Sequence, residues 1–280
     1  MSIRGKAAIV GFGEIPTRRA LPGRSATGLL AEVAKLALDS AHLQKQDING
    51  VVTIDGAGNG LAEYIDIYPR FATGVQMAGA SGATTIAVAA AAIEAGYADT
   101  ILCAISLARD VTAPPVGAGG GTSMGSEFES FAGPAVAANN GYGLLYQRHM
   151  YEYGTTAAQM ARMAVNQRFN ALENPNSAFQ GQPISVDDVL NSRYTNEPLH
   201  LLECVMPCAG AEALIVTTAE RAKAMPNRPV YILGSGIEMS HAAIWQNLRM
   251  TQSPTKVAAA NSFKMAGYRP ADMQFAQFYD

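Results

Sequence analysis

The sequence predicts an α/β fold built around a duplicated strand and helix unit. Three observations predict it: short apolar runs alternate with stretches of helical periodicity, residues 8–55 resemble residues 231–280 in order and spacing, and 49% hydrophobic content over 280 residues is ample for a buried core. That length suits one large domain or two intimate ones.

The elements follow in order. Residues 7–12 read as a buried strand ending in Gly11-Phe12-Gly13, and residues 25–38 carry apolar positions at helical spacing with Ser25 placed as the cap. Residues 51–54 give the next strand, residues 81–95 a helix of small and apolar side chains, and residues 100–106 another strand. From 109 to 140 the composition turns to Gly, Pro, Ser and Ala, with five residues from Gly117 to Gly121 that are nearly all glycine, which predicts a long loop excursion of the functional kind. Helices are expected over 143–153, 156–172 and 186–192, then a strand over 214–218 and a helical turn over 219–224.

The repeat pairs Gly11-Phe12-Gly13 with Gly234-Ser235-Gly236, and Asp55 with Asp280, each copy running strand, helix, second strand. The first copy continues past Asp55 into the helix after Ser81 and the strand from Thr100, whereas the second reaches only the position equivalent to Asp55. A strand at 273–279 is therefore expected to lack neighbours and to leave apolar surface and backbone groups unpaired, so that a further polypeptide segment or partner would complete it.

Composition excludes several functions. A net charge of -3 with 15% charged residues supplies no basic field for nucleic acid or an acidic membrane surface. Cys103, Cys204 and Cys208 form neither an even disulfide framework nor a zinc knuckle, which fits a reducing cytoplasm. No targeting signal and no apolar run of membrane-spanning length is read in the chain. Gly11-Phe12-Gly13 lacks the third glycine of a dinucleotide fingerprint, and the run at Gly117 lacks the Lys-Ser/Thr of a phosphate loop, so neither NAD nor ATP is expected. No metal is expected either. His42, His200 and His241 stand without motif context.

Two further stretches are specific in combination. One is Gly79-Ala80-Ser81-Gly82 followed by the run from Ala89 to Asp99. The other is Arg148-His149-Met150 with Tyr153-Gly154-Thr155-Thr156, Gln159, Asn166, Arg168 and Asn174-Pro175. With Ser192-Arg193, Gly210-Ala211, Ala266-Gly267 and Tyr279-Asp280, they make nearly the whole chain resemble the thiolase superfamily. The similar branch is that of the sterol-carrier-protein thiolases and bacterial lipid-transfer thiolase-like proteins. The resemblance implies a layered αβαβα fold of two related halves, the second incomplete here. Residues 1–108 with 205–226 would form the N-terminal half, 109–204 a loop domain over the substrate, and 227–280 the start of the C-terminal half. It also implies a homodimer or higher homo-oligomer and, among the thiolase-like aldolases, an OB-fold partner of the DUF35 kind.

Gly79 stands at the position of the family's reactive cysteine. A thiolase needs a thiolate there, at a helix N-terminus that lowers its pKa, and glycine carries no nucleophile. Ser81 is not the centre of a full G-x-S-x-G elbow, so it is expected beside the ligand, not as a nucleophile. Cys103 is read as a small core residue. His149 and Met150 match the family pair against the pantetheine arm of coenzyme A, while helical spacing with Tyr146 and Tyr153 equally allows His149 a packing role. Tyr279 aligns with the family's oxyanion-site position. A tyrosine there resembles the thiolase-like aldolases, in which tyrosines handle the β-hydroxyl proton and no acyl-enzyme forms; a strand-end aromatic is the plainer reading. A phenol does such work only with a tuned pKa or a relay. The family's Gly-His-Pro histidine and second cysteine are not found in the chain. The sequence therefore favours a carbon-carbon lyase that cleaves a β-hydroxyacyl-CoA in lipid or sterol side-chain catabolism. A non-catalytic acyl-CoA-binding or assembly subunit, or an acetyl-CoA acetyltransferase, remain the alternatives.

Overall fold

The computed structural model describes residues 2–54, 58–109, 138–240 and 247–279. Strand β1 (Ala7–Arg18) opens the fold and leads into helix α1 (Ala26–Ala41). Ser25 caps α1 as expected, its side chain accepting from the Gly28 amide at 3.0 Å, and His42 ends it in the left-handed region at φ 55°. Strand β2 (Gly50–Ile54), helix α2 (Gly58–Tyr64) and strand β3 (Phe71–Val75) follow. A single 3-10 turn (Ala78–Ala80) then feeds helix α3 (Ser81–Glu94), which returns through strand β4 (Thr100–Leu107). The sequence reading had no element for α2 or β3. Both are short, and β3 (Phe-Ala-Thr-Gly-Val) carries a glycine and too few apolar positions for a period to register.

After β4 come helices α4 (Ala138–Tyr153), α5 (Ala157–Leu172) and α6 (Val186–Leu190), then a small hairpin of β5 (Tyr194–Asn196) and β6 (Leu199–His200). Strand β7 (Ala209–Thr218) and helix α7 (Ala219–Lys223) follow, then β8 (Val230–Tyr231) and helix α8 (Thr255–Ala266). Most of the expected loop over 109–140, with the glycine run at 117–121, lies outside the described residues, as do Asp55, His241 and Asp280. Its last residues, from Ala138, are already helical.

The main sheet has the order β3-β2-β4-β7-β1-β8. β2 runs parallel to β3 and β4, while β7 pairs antiparallel with both β4 and β1. Helix α1 covers one face through Leu29, Leu30, Val33 and Ala37, and α3 covers the other through Ala89, Ala90 and Ile93 against Val52, Ile101 and Val216. Ile232 and Met265 pack against this second cluster, so the second unit meets the first on the α3 side.

The glycines of the repeat share one physical task. A Cβ on Gly11 would stand 2.5 Å from the Ala37 carbonyl oxygen and 2.7 Å from Ala41 Cβ, and one on Gly13 2.5 Å from the Val33 oxygen. In the second copy, a Cβ on Gly234 would stand 2.4 Å from the Ser262 oxygen and 3.2 Å from Ala266 Cβ, and one on Gly236 1.8 Å from the Ala258 oxygen. In both, the first glycine meets two positions one helical turn apart and the second meets the turn before. Glycine lets the helix lie directly on β1 in the first copy and on the segment after β8 in the second.

One expectation is met in part. Residues 273–279 have no ladder partner among the described residues and leave Phe275, Phe278 and Tyr279 exposed, as expected, but for that reason they are not a strand. An extended segment becomes a strand only through a neighbour that takes up its N–H and C=O groups, which local sequence does not supply.

Candidate functional site

The turn that enters α3 is tightly held. Ala78 has φ 49°, a left-handed conformation that costs a non-glycine residue roughly 1 kcal/mol or more and persists only where the surroundings over-determine it. Ser81 supplies that constraint. Its side chain is buried, 3% exposed, and its Oγ donates to the Ala78 carbonyl at 2.8 Å while accepting from the Met77 amide at 2.9 Å. Thr84 Oγ1 donates to the Ala80 carbonyl at 2.9 Å and Thr85 Oγ1 to the Gly82 carbonyl at 2.7 Å. Gly79 is thus fixed at the N-terminal, positive end of α3.

Tyr279 lies on that glycine. A Cβ built on Gly79 would stand 2.2 Å from Cε1 of Tyr279, 2.9 Å from Cδ1 and 3.1 Å from Cζ. The ring therefore occupies the space into which a side chain at position 79 would project. Gly79 and Tyr279, far apart in sequence, form one feature, and the ring remains 75% exposed on its other sides.

His149 and Met150 sit on α4. His149 Nδ1 shares a hydrogen bond with Thr155 Oγ1 at 2.7 Å, and its ring lies 4.6 Å from that of Tyr153. His149 also lines a cleft of about 190 Å³ with Leu145, Met250, Thr251 and Pro254; Met150 is half-buried on the same helix. Glu152 ties α4 to this wall, accepting from Arg148 Nε at 2.5 Å and from Thr251 Oγ1 at 2.7 Å, bonds that hold its carboxyl below the usual range, Thr251's first.

Cys103 is buried with its Sγ 3.7 Å from the Thr85 carbonyl oxygen, and burial pushes its thiol up to about 12, so it carries no thiolate at neutral pH. Cys204 shares a hydrogen bond with Thr195 Oγ1 at 3.1 Å. Among the described residues no group of three or more His, Cys, Asp or Glu side chains is placed to hold a metal ion, and no helix is long and apolar enough to cross a membrane.

Sequence reasoning passed over one aromatic and acidic pair and one pair of carboxylates. Tyr146 is buried on α4 with its hydroxyl unpartnered among the described residues, and its phenol is pushed up to about 12 by burial first and then by the charge of Glu203. Glu14 on β1 and Glu212 on β7 are cross-strand partners, and burial first, then the charge of Glu14, raises the Glu212 carboxyl above the usual range. A lone charge inside the small, apolar run of β7 was the available signal. Its pairing with Glu14 was not visible.

No family model matches the chain. The chain is 29% identical to a steroid side-chain-cleaving aldolase of Thermomonospora curvata, over 99% of its own length and 74% of that protein's. It is 30% identical to an acetyl-CoA acetyltransferase of Methanocaldococcus jannaschii, over 98% of its own length and 72% of the relative's. The chain belongs to the thiolase superfamily. Within that superfamily, the solved structure of an Ltp2-ChsH2(DUF35) aldolase matches it with a TM-score of 0.85 at 27% identity, covering 96% of this chain and 72% of that one. The thiolase-like α/β architecture read from the sequence is thereby established for this thiolase-superfamily chain.

Proposed function

We propose that this chain is the thiolase-like subunit of an acyl-CoA carbon-carbon lyase, which splits a β-hydroxyacyl-CoA of lipid or sterol origin by retro-aldol cleavage. The seating of Tyr279 on Gly79 is the observation that carries the reading. A glycine replaces the nucleophile, and a phenol lies over the same point at the positive end of α3, where charge developing on a thioester oxygen is stabilised. Tyr279 is the group that receives the β-hydroxyl proton; Gly79 gives its ring room; Ser81 holds the turn beside the ligand. His149, which lines the cleft with Met250, and Met150 on the same helix border the pantetheine arm of coenzyme A. The similarity to an aldolase of steroid side chains and to an Ltp2-ChsH2(DUF35) aldolase supports both the reaction class and a DUF35-type OB-fold partner. The reading includes the division into residues 1–108 with 205–226, 109–204 and 227–280, a homodimer, and action in the cytoplasm.

The test is release of ketone or aldehyde from a β-hydroxyacyl-CoA by the chain, alone and with a DUF35-type partner. Tyr279→Phe should lower kcat by roughly 10²- to 10⁴-fold, the usual span for one acid-base group, with acyl-CoA affinity unchanged. Saturable acyl-CoA binding with no release in either case would instead mark a non-catalytic binding subunit. A covalent acyl-enzyme seen by mass spectrometry would return the chain to the acetyltransferases.

A further inference from the structure

Retro-aldol cleavage moves one proton from the β-hydroxyl to the α-carbon, and a phenol alone is a poor carrier because its ordinary pKa is near 10. The α3 side of the sheet holds a second group suited to that transfer. Cys103 Sγ lies 3.7 Å from the Thr85 carbonyl oxygen, which sets β4 against the second turn of α3. Ile105 is two residues farther along β4 on the same face, about 7 Å on at the usual strand rise. Because α3 runs antiparallel to β4, that distance is between four and five residues of helix at about 1.5 Å each, toward Ser81 and the Gly79 turn. Ile105 is the cross-strand partner of Glu212, and Glu212 that of Glu14, with no register shift between β4 and β7. Leu214, two residues from Glu212, packs into the α3-side cluster, whereas Ala211 and Ala213 pack on the α1 side, so alternation puts Glu212 on the α3 face. It lies between two buried alanines, open to solvent on one side and only partly desolvated by its surroundings.

We propose that Glu212 completes the proton path of this site, as the carboxylate that takes the phenolic proton of Tyr279 and delivers it to the enolate carbon. The inference rests on the lyase reading. Balance is complete within the site: the β-hydroxyl proton passes to Tyr279 oxygen as the phenolic proton passes to Glu212, the Cα–Cβ bond breaks to leave a carbonyl compound and a thioester enolate, and the Glu212 proton then goes to Cα. No other reactant is needed. Opposite Glu212 on β1 stands Glu14, whose carboxylate also accepts from Asn176 Nδ2 at 2.8 Å; opposite it on β4 stands the uncharged Ile105. Partial desolvation first and that like charge second raise the Glu212 carboxyl above its ordinary range, the direction that suits a base.

The experiment follows solvent deuterium entering the α-position of acetyl-CoA, by mass spectrometry, alongside cleavage of a β-hydroxyacyl-CoA, with the full chain and its DUF35-type partner. Glu212→Gln should slow both by roughly 10²- to 10⁴-fold with acetyl-CoA affinity retained. Glu14→Gln, by removing the like charge, should move the acid limb of the kcat/KM profile to lower pH. Wild-type exchange and cleavage retained in Glu212→Gln overturn the inference and leave the lyase reading intact. Exchange without cleavage in the wild-type protein overturns the lyase reading and leaves Glu212 its proton-handling role. Neither activity overturns both. Should Glu212→Gln fail to fold, an acid limb that Glu14→Gln leaves in place overturns the inference.

Discussion

Gly79→Ala tests the central geometry with the smallest possible change. The added Cβ would stand 2.2 Å from Cε1 of Tyr279, and carbon atoms in contact sit at about 3.5–4.0 Å, so the ring must retreat by about 1.3 Å or more. It can do so cheaply, since Tyr279 is largely exposed and is not held in a strand. Gly79 itself lies outside the left-handed region, so alanine brings no backbone strain and restricts the unfolded chain, worth about 0.4–1 kcal/mol in favour of the fold. Stability and activity should therefore separate. Tm stays at or slightly above the wild-type value, while cleavage falls about 100-fold, the usual loss for a reacting group misplaced by about 1 Å. Differential scanning calorimetry and steady-state cleavage of a β-hydroxyacyl-CoA measure the two. Wild-type kcat/KM in Gly79→Ala would refute the argument that the Tyr279 ring works from its seat on Gly79.

Three other outcomes are expected. Ser81→Ala leaves the part-buried Met77 amide without its partner and releases the Ala78 turn, so urea unfolding should show a loss of about 1 kcal/mol; an unchanged midpoint would mean that the turn holds itself. Iodoacetamide at pH 8 should leave Cys103 unmodified in the native protein, because its thiol is buried and pushed up to about 12, and peptide mapping reads this directly. Asp47 accepts from the Gln44 amide at 2.8 Å and pairs with Arg221 at 2.7 Å, which together hold its carboxyl below the usual range, the backbone bond first. With the folded pKa depressed, the stabilisation is complete above the unfolded pKa and is lost as pH falls through the folded one. Asp47→Asn should thus cost about 1 kcal/mol or less at pH 7, given the partly exposed pair, and progressively less under acid in denaturation measured across pH.

Local periodicity was enough to read α1 with its Ser25 cap, α3, α5 and β4, because each is set by contacts within a few residues and by the alternation of buried positions. The repeat was legible for a stronger reason: Gly11 and Gly13, like Gly234 and Gly236, are demanded by a helix packed closely on the segment that carries them, so both copies keep the same letters. The absence of a nucleophile at Gly79 was also plain from the sequence alone. What lies over Gly79 was not, since the approach of Tyr279 arises from the packing of two separate units and leaves no local mark. The same holds for Glu14 and Glu212, whose pairing is a matter of strand register. Residues 273–279 show the converse. Their composition suits a strand, but a ladder needs a second strand, and tertiary neighbours alone decide whether one is there.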